Sequence, residues 1–184
     1  MKHIKYLLCM IFIFLPFIIY SQYLEPGDVD IFINEYAQIK HILDEHRSDK
    51  EDGDWIKYNG LTDAFQTISE EYIKKPTNNK MFNDTKRHYQ EMLDCKVPWE
   101  LERVFRTIGW NIDGNKKFLS ITLGWGFLYG VKEMEKETSK IPELMYKLFV
   151  EKYYLGMLNI LKLFNEHDLD IINVRMEEIR NLMV

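Results

Sequence analysis

The run FLSITLGWGFLYGV, residues 118–131, holds no charged side chain, although 29% of the chain is charged. Drawn as a helix, it has apolar side chains in every direction, and a helix that is apolar all round is buried by its neighbours. The run is too short to cross a bilayer, which needs about 20 residues. We therefore expect an all-α, single-domain bundle of six to seven helices around a buried central helix at about residues 115–137.

A β-hairpin is the alternative structure for residues 118–131. Short apolar runs are not assigned by periodicity alone, Ile121 and Tyr129 favour strands, and residues 124–126 supply a possible turn. Three glycines inside a helix also cost roughly 1 kcal/mol each relative to alanine. However, the rest of the chain contains no strand-like segment for a hairpin to join, and an isolated two-stranded hairpin is marginally stable. The helix is favoured, and the hairpin stays open at this point.

The first 21 residues have the layout of a secretory signal peptide. Lys2 and Lys5 form a basic start, residues 6–20 are an apolar run, and Ser21 is a small residue suited to cleavage after it. An uncleaved membrane anchor is the alternative, but no basic stop-transfer cluster follows. We expect export to the periplasm or the exterior, with residues 22–184 as a single helical domain and no stable membrane span after leader removal.

Composition narrows the range of partners. The chain is 46% hydrophobic and 14% aromatic, which excludes a disordered protein. Its net charge is -5 and its Lys and Arg residues form no cluster, so nucleic acid is not an expected partner. Removal of the leader leaves Cys95 as the single cysteine, and the exported protein therefore has no internal disulfide.

Apolar residues at steps of three and four predict further helices on both sides of the central one. The expected elements are helices at 28–47, 55–75, 79–96 and 98–108, then an element from 138 with a kink near 151–154, a turn at 167–168 and a helix at 171–183. Asp28 is expected to be the N-cap of the first helix. Gly109 is expected to end the fourth in a left-handed Schellman cap, which brings Trp110 against Phe105.

Gly126 and Gly130 lie four residues apart in the central helix and leave a strip without side chains. We expect the backbone of a neighbouring helix to pack on this strip, and Gly124 to point away from it. Leucine at Gly126 is then expected to cost more stability than leucine at Gly124.

The sequence contains no Gly-x-Ser-x-Gly, His-Glu-x-x-His, Cys-x-x-Cys-His or Glu-x-x-His motif. We therefore assign no catalytic residue, no metal site and no cofactor. The candidate ligand-binding residues are Trp125, Tyr129, Thr122 and Gly126, because the two aromatic rings share a helix face with Thr122 beside the glycines. The alternative is that these aromatic side chains belong to the core.

Export and the absence of catalytic motifs favour a non-enzymatic interaction module that binds another envelope or secreted protein. Two alternatives stay open. One is a carrier of a small apolar ligand, held in a pocket beside the central helix. The other is an enzyme of unrecognised type, since active sites assemble from residues that are distant in sequence.

Overall fold

The computed structural model describes residues 24–138 and 140–183, without the side chains of Leu148 and Phe149. In this part 82% of the residues are helical and none forms a strand. The all-α class is therefore confirmed, and the hairpin alternative at 118–131 is wrong. The predicted leader, residues 1–21, lies outside the described residues.

The described residues form nine α-helices. They are α1 (Pro26–His46), α2 (Gly53–Lys74), α3 (Asn79–Leu93), α4 (Trp99–Thr107), α5 (Gly114–Thr138), α6 (Glu143–Met145), α7 (Glu151–Leu161), α8 (Glu166–Val174) and α9 (Met176–Met183). A 3₁₀ turn, Asn111–Asp113, precedes α5, and a π-helical turn, Tyr146–Val150, joins α6 to α7. Together these elements make a single helical bundle.

Helix α5 is the centre of the bundle, as predicted. It contacts α1, α3, α4, α7, α8 and α9. Its Ile121 side chain is fully buried, and Phe118 and Leu119 are nearly so. The indole N–H of Trp125 donates to the carbonyl oxygen of Met176 at 3.2 Å, which ties α5 to the start of α9.

Helix α2 lies to one side of this centre and packs mainly against α3 and α7. Asp52 begins it, because the Asp52 carboxylate accepts the backbone N–H groups of Asp54 and Trp55. Near its other end, Gly156 of α7 lies directly against the backbone of Ile73. This arrangement leaves a groove between α2 and the second half of α5.

The prediction of a glycine strip on α5 is wrong. Gly126 is exposed, and a Cβ added there would meet no atom within 4 Å. A Cβ on Gly130 would meet the end of the Met157 side chain rather than a backbone. Gly124 is instead the buried glycine, where a Cβ would lie 3.0 Å from Cδ1 of Ile172. The reason is that α8 packs on the face that carries Gly124, so the face that carries Gly126 is left to solvent.

Gly109 ends α4 as predicted. Its φ is 87°, its N–H donates to the carbonyl of Arg106 at 3.2 Å, and the N–H of Trp110 donates to the carbonyl of Phe105 at 2.9 Å. These are the two hydrogen bonds of a Schellman cap. The Phe105 and Trp110 rings are in contact, with centroids 5.8 Å apart.

The N-terminal helix begins earlier than predicted, at Pro26, so Asp28 is not its N-cap. The Asp28 carboxylate instead accepts the backbone N–H of Glu25 at 2.8 Å and pairs with Lys117 of α5 at 2.7 Å. One buried carboxylate thus stabilises the first turn of α1 and ties that turn to the central helix. Helix α3 ends at Leu93, one turn earlier than expected.

The C-terminal part is divided more finely than predicted. The bend expected near 151–154 lies earlier in the chain: residues 151–154 are regular α7, and the irregular segment is the π-helical turn Tyr146–Val150 before it. Residues 167–168 are inside α8 rather than in a turn, because Asn165 caps α8 by accepting a backbone N–H of its first turn at 2.8 Å. The helix expected at 171–183 is two helices, which separate at Arg175.

Candidate functional site

An apolar groove lies between α2 and the second half of α5. Its volume is about 290 Å³, close to the lower end of the range for small-ligand sites, roughly 300–1,000 Å³. The residues that line it are Thr62, Phe65, Gln66, Ser69, Glu70 and Ile73 from α2 and Leu123 and Phe127 from α5. Most of this wall is apolar. We call this cavity the α2–α5 groove.

Helical periodicity places the lining side chains on facing sides of the two helices. On α2, Phe65, Ser69 and Ile73 follow one another at steps of four, and residues four apart share a helix face. On α5, Leu123 and Phe127 have the same spacing. Two stripes therefore run along their helices and form the two sides of the groove.

Aromatic rings connect the two stripes. The rings of Phe65 and Phe127 meet edge to face, with centroids 6.4 Å apart and an interplanar angle of 90°. Phe127 also contacts Phe164 at 6.2 Å, Phe65 contacts Tyr89 at 5.6 Å, and Tyr89 contacts Phe164 at 5.0 Å. Such ring pairs add to the stabilisation from burial alone. The closed circuit of four rings holds the wall of the groove in place.

Ser69 is the unusual residue in this wall. It is 2% exposed, and its hydroxyl has no hydrogen-bond partner in the part of the chain that the structure describes. By contrast, Thr62 donates its hydroxyl to the carbonyl of Tyr58 at 3.1 Å. At the exposed rim, the side-chain amide of Gln66 donates to the Glu70 carboxylate at 3.0 Å. The Ser69 oxygen is thus buried beneath the wall without a partner, whereas the other polar side chains of the wall are already bonded.

The four residues predicted to bind a ligand do not line this groove. Trp125 is largely buried and stacks on Tyr129, with ring centroids 5.3 Å apart and an interplanar angle of 13°. The Thr122 hydroxyl donates back to the carbonyl of Phe118 at 2.8 Å, and Gly126 faces solvent. The structure therefore brings the two aromatic residues together, whereas Thr122 bonds within its own helix.

The sequence alone contains one indication of the groove, a polar residue within the apolar stripe of α2. The periodic apolar residues of α2 include Phe65 and Tyr72, and Ser69 lies on the same side, four residues after one and three before the other. A serine inside an apolar stripe is a buried polar group in need of a partner. That observation identifies Ser69, but it does not identify Leu123 and Phe127 across the groove.

Tyr129 borders a second groove of about 390 Å³ between α5 and the junction of α8 with α9. The other residues that line it are Lys132, Glu133, Lys136, Asn173, Val174, Arg175, Met176, Glu177 and Glu178. Lys132 donates to the Asn173 side chain, and Arg175 pairs with Glu178 at 2.6 Å. Its basic and acidic groups are balanced, so this groove offers no net charge to select an ionic ligand.

A buried polar network lies elsewhere, around Asn115. The hydroxyl of Tyr58 donates to Oδ1 of Asn115 at 3.1 Å, and the Asn115 amide donates to the carbonyl of Met92 at 3.0 Å and lies 3.9 Å from Sγ of Cys95. Burial raises the pKa of the Cys95 thiol and that of the Tyr58 hydroxyl. Since the thiolate is the nucleophilic form, the raised pKa lowers the fraction of Cys95 that is reactive at a given pH.

Comparison of the chain with protein-family models, curated proteins and solved structures found no match. The candidate site therefore rests on its own geometry. Across residues 24–138 and 140–183, no three His, Cys, Asp or Glu side chains are grouped to hold a metal ion. Within the same ranges, no helix has both the length and the hydrophobicity needed to cross a membrane.

Proposed function

We propose that this chain is an exported, non-enzymatic binding protein that holds a small apolar ligand in the α2–α5 groove. The observation that carries the proposal is the apolar wall beside the central helix, built from facing stripes that include Phe65 and Phe127. Removing apolar surface from water is favourable by roughly 25 cal/mol per Å². Binding of an apolar molecule to this wall is therefore favourable, because apolar surface on both the molecule and the wall is removed from water.

The chemistry of the wall favours binding over catalysis. Acid–base and nucleophilic catalysis need titratable groups that converge on one reacting atom. Glu70 is the ionisable residue among those that line the groove in the described chain, and its carboxylate accepts the Gln66 amide. The Ser69 hydroxyl has no base to activate it within hydrogen-bond reach. The wall is suited to hold an apolar body rather than to transform it.

Export is the part of the proposal that rests on residues 1–21. The basic start, the apolar run and Ser21 support cleavage of a leader. The intact mass of the protein recovered from its host is expected to lack residues 1–21. A mass that includes them would make the protein membrane-anchored rather than released.

Binding is tested by titrating the purified protein with toluene while the backbone amide shifts of residues 62–73 and 123–127 are followed by NMR. Thr62 lines the groove, so Thr62→Phe places a ring inside it. A loss of about 1.4 kcal/mol in ligand contacts weakens binding ten-fold, and we expect at least that effect. In the native host, organic extraction of the purified protein and mass spectrometry identify the bound molecule.

Thr67→Phe is the matched control for this titration. Thr67 is exposed on the same helix and does not line the groove. Its hydroxyl donates to the carbonyl of Asp63 at 2.9 Å, much as Thr62 donates to that of Tyr58, so both variants lose the same kind of bond. Equal toluene binding by the two variants, or no binding by the wild type, would contradict the proposed site.

Exposed apolar side chains around α6 favour a second function, the binding of another envelope or secreted protein. Leu144 and Met145, neighbours in α6, are 69% and 48% exposed. Exposed apolar residues mark interaction sites where they form a patch. A photo-crosslinking residue at Leu144 is expected to capture one host protein reproducibly, while the same residue at Thr67 captures none. Equal capture at both positions would exclude α6 as the interface.

A further inference from the structure

We infer that the α2–α5 groove takes a cationic amphiphile, a small molecule with an apolar body and an ammonium group that pairs with Glu70 at the rim. This inference rests on the proposed function, because it names the polar end of the ligand held in the same groove. Three features carry it: the open carboxylate of Glu70, the lack of basic residues in the wall, and the position of Glu70 beside the apolar stripe of α2.

The first feature is the carboxylate of Glu70. Glu70 is exposed and lines the groove, so a ligand in the groove reaches it. The Gln66 amide donates to its Oε1 at 3.0 Å, and its Oε2 has no donor in the part of the chain that the structure describes. Lys74, one turn later on α2, forms no ion pair with it within the same part of the chain. Because an ionised carboxylate only accepts hydrogen bonds, Oε2 favours a ligand group that donates them.

The second feature is the sign of the charge around the groove. Glu70 is acidic, and no Lys, Arg or His is among the described residues that line the groove. An anionic ligand would lose hydration there without gaining a cation, and its charge would lie beside that of Glu70. A positively charged group gains attraction at the same place, and the net charge of the chain, -5, has the sign that favours its approach.

The third feature is the position of Glu70 relative to the apolar wall. Gln66 and Glu70 each directly follow a residue of the α2 stripe, Phe65 and Ser69, so the polar rim runs alongside the buried stripe. Amphipathic groups bury an apolar stem and keep the charged head in water. A ligand bound in this way places its apolar body against Phe65 and Phe127 and leaves its ammonium group hydrated at the rim. The charge is therefore not buried, and the cost of desolvation is small.

The volume of the groove limits the size of the ligand. A water molecule occupies about 30 Å³ in the liquid, so a groove of about 290 Å³ holds a molecule of about ten non-hydrogen atoms. Toluene, benzylammonium and benzoate are all within this size. They share one aromatic body and differ in the charge of the group attached to it.

The experiment is an NMR titration of the purified protein with these three compounds near neutral pH, where amines are protonated and carboxylates are ionised. We expect benzylammonium to bind the wild type more tightly than benzoate. In Glu70→Gln the Kd of benzylammonium is expected to rise about three-fold, the effect of an exposed ion pair, while the Kd of toluene stays unchanged. In about 1 M salt, where the Debye length is about 3 Å, the difference between wild type and Glu70→Gln is expected to disappear.

Glu71→Gln is the matched control. Glu71 is exposed, is the next residue on α2 and does not line the groove. The two variants therefore remove the same charge from the same helix and change the net charge of the protein equally. Glu71→Gln is expected to keep the wild-type Kd of all three compounds, which separates a contact with Glu70 from a general effect of charge.

The outcomes separate the inference from the proposed function. If toluene binds and the two variants have the same Kd for benzylammonium, the groove is an apolar site and the role of Glu70 is overturned. Tighter binding of benzoate than of benzylammonium to the wild type would overturn the cationic class. If none of the three compounds binds the wild type, the proposed function fails and the inference fails with it. Because Glu70→Gln changes an exposed side chain to one of the same shape, toluene binding by that variant also reports that its groove is intact.

Discussion

Gly156 of α7 lies so close to Ile73 of α2 that a Cβ on Gly156 would stand 2.6 Å from the Ile73 Cα and 2.8 Å from its carbonyl oxygen. Ile73 also lines the α2–α5 groove. The absence of a side chain at Gly156 therefore sets how closely α7 approaches α2 beside the candidate site.

Gly156→Ala is expected to destabilise the protein by about 2 kcal/mol, a typical cost of overpacking. Alanine improves helix propensity by about 1 kcal/mol, but the obstructing atoms belong to a backbone and have no rotamer with which to move aside. The free energy of unfolding from urea melts measures this effect.

The control for Gly156 is Gly60, which lies inside α2, is exposed and has no atom within 4 Å of an added Cβ. Gly60→Ala is expected to stabilise the protein by up to about 1 kcal/mol, through propensity alone. If both alanine variants gained stability equally, the two helices would not be in close contact at Ile73.

Gly124→Leu is expected to lose about 2–3 kcal/mol, while Gly126→Leu stays near neutral or gains up to about 1 kcal/mol. A Cβ on Gly124 already stands 3.0 Å from Ile172, whereas Gly126 is open. Parallel urea melts of the two variants check the order. A greater loss of stability in Gly126→Leu than in Gly124→Leu would support the packed glycine strip predicted from the sequence. It would contradict the packing of α8 on the Gly124 face.

The predictions that succeeded depend on residues close together in sequence. The run at 118–131 is helical and central, as its long uncharged sequence predicts, although its Gly126 face is exposed. The cap at Gly109 involves only the residues from Phe105 to Trp110, so its hydrogen bonds and ring contact follow from local geometry. Such features are readable without knowledge of the neighbouring helices.

The predictions that failed depend on which helix packs against which face. Gly124 and Gly126 are both plausible contact points on an apolar helix, and the choice between them is made by Ile172, far along the chain. The α2–α5 groove was not predicted for the same reason, since Phe65 and Phe127 come into contact only when α2 and α5 are packed together. The spacing of apolar residues identifies which face of a helix is buried, but it does not identify the helix that packs against that face.

Cys95 is expected to react with iodoacetamide at pH 8 at least about ten-fold more slowly in the folded protein than in urea. Burial raises the pKa of the thiol, so less thiolate is present at a given pH. Peptide mass spectrometry follows the label on Cys95. Because the folded-state pKa is the higher one, this group's contribution to stability is present below the ordinary pKa of about 8.5 and is lost as pH rises through the raised value.

Lys57 gives an independent check on the thiol environment. Its positive charge lowers the pKa of Cys95 and so partly opposes the effect of burial. Lys57→Gln is expected to slow the alkylation further, since the pKa of the thiol then rises. Faster alkylation in this variant would contradict the assigned cause.

Ser69→Ala is expected to stabilise the ligand-free protein by about 1 kcal/mol. The substitution removes a buried hydroxyl without a partner, whose burial costs about 1–3 kcal/mol, and alanine has the higher helix propensity. Thr62→Val is expected to lose about 1 kcal/mol instead, because its hydroxyl is bonded to the Tyr58 carbonyl. Urea melts without added ligand give both values.

Loss of stability in Ser69→Ala, comparable to that of Thr62→Val, would contradict this prediction. It would mean that the Ser69 hydroxyl is hydrogen-bonded in solution.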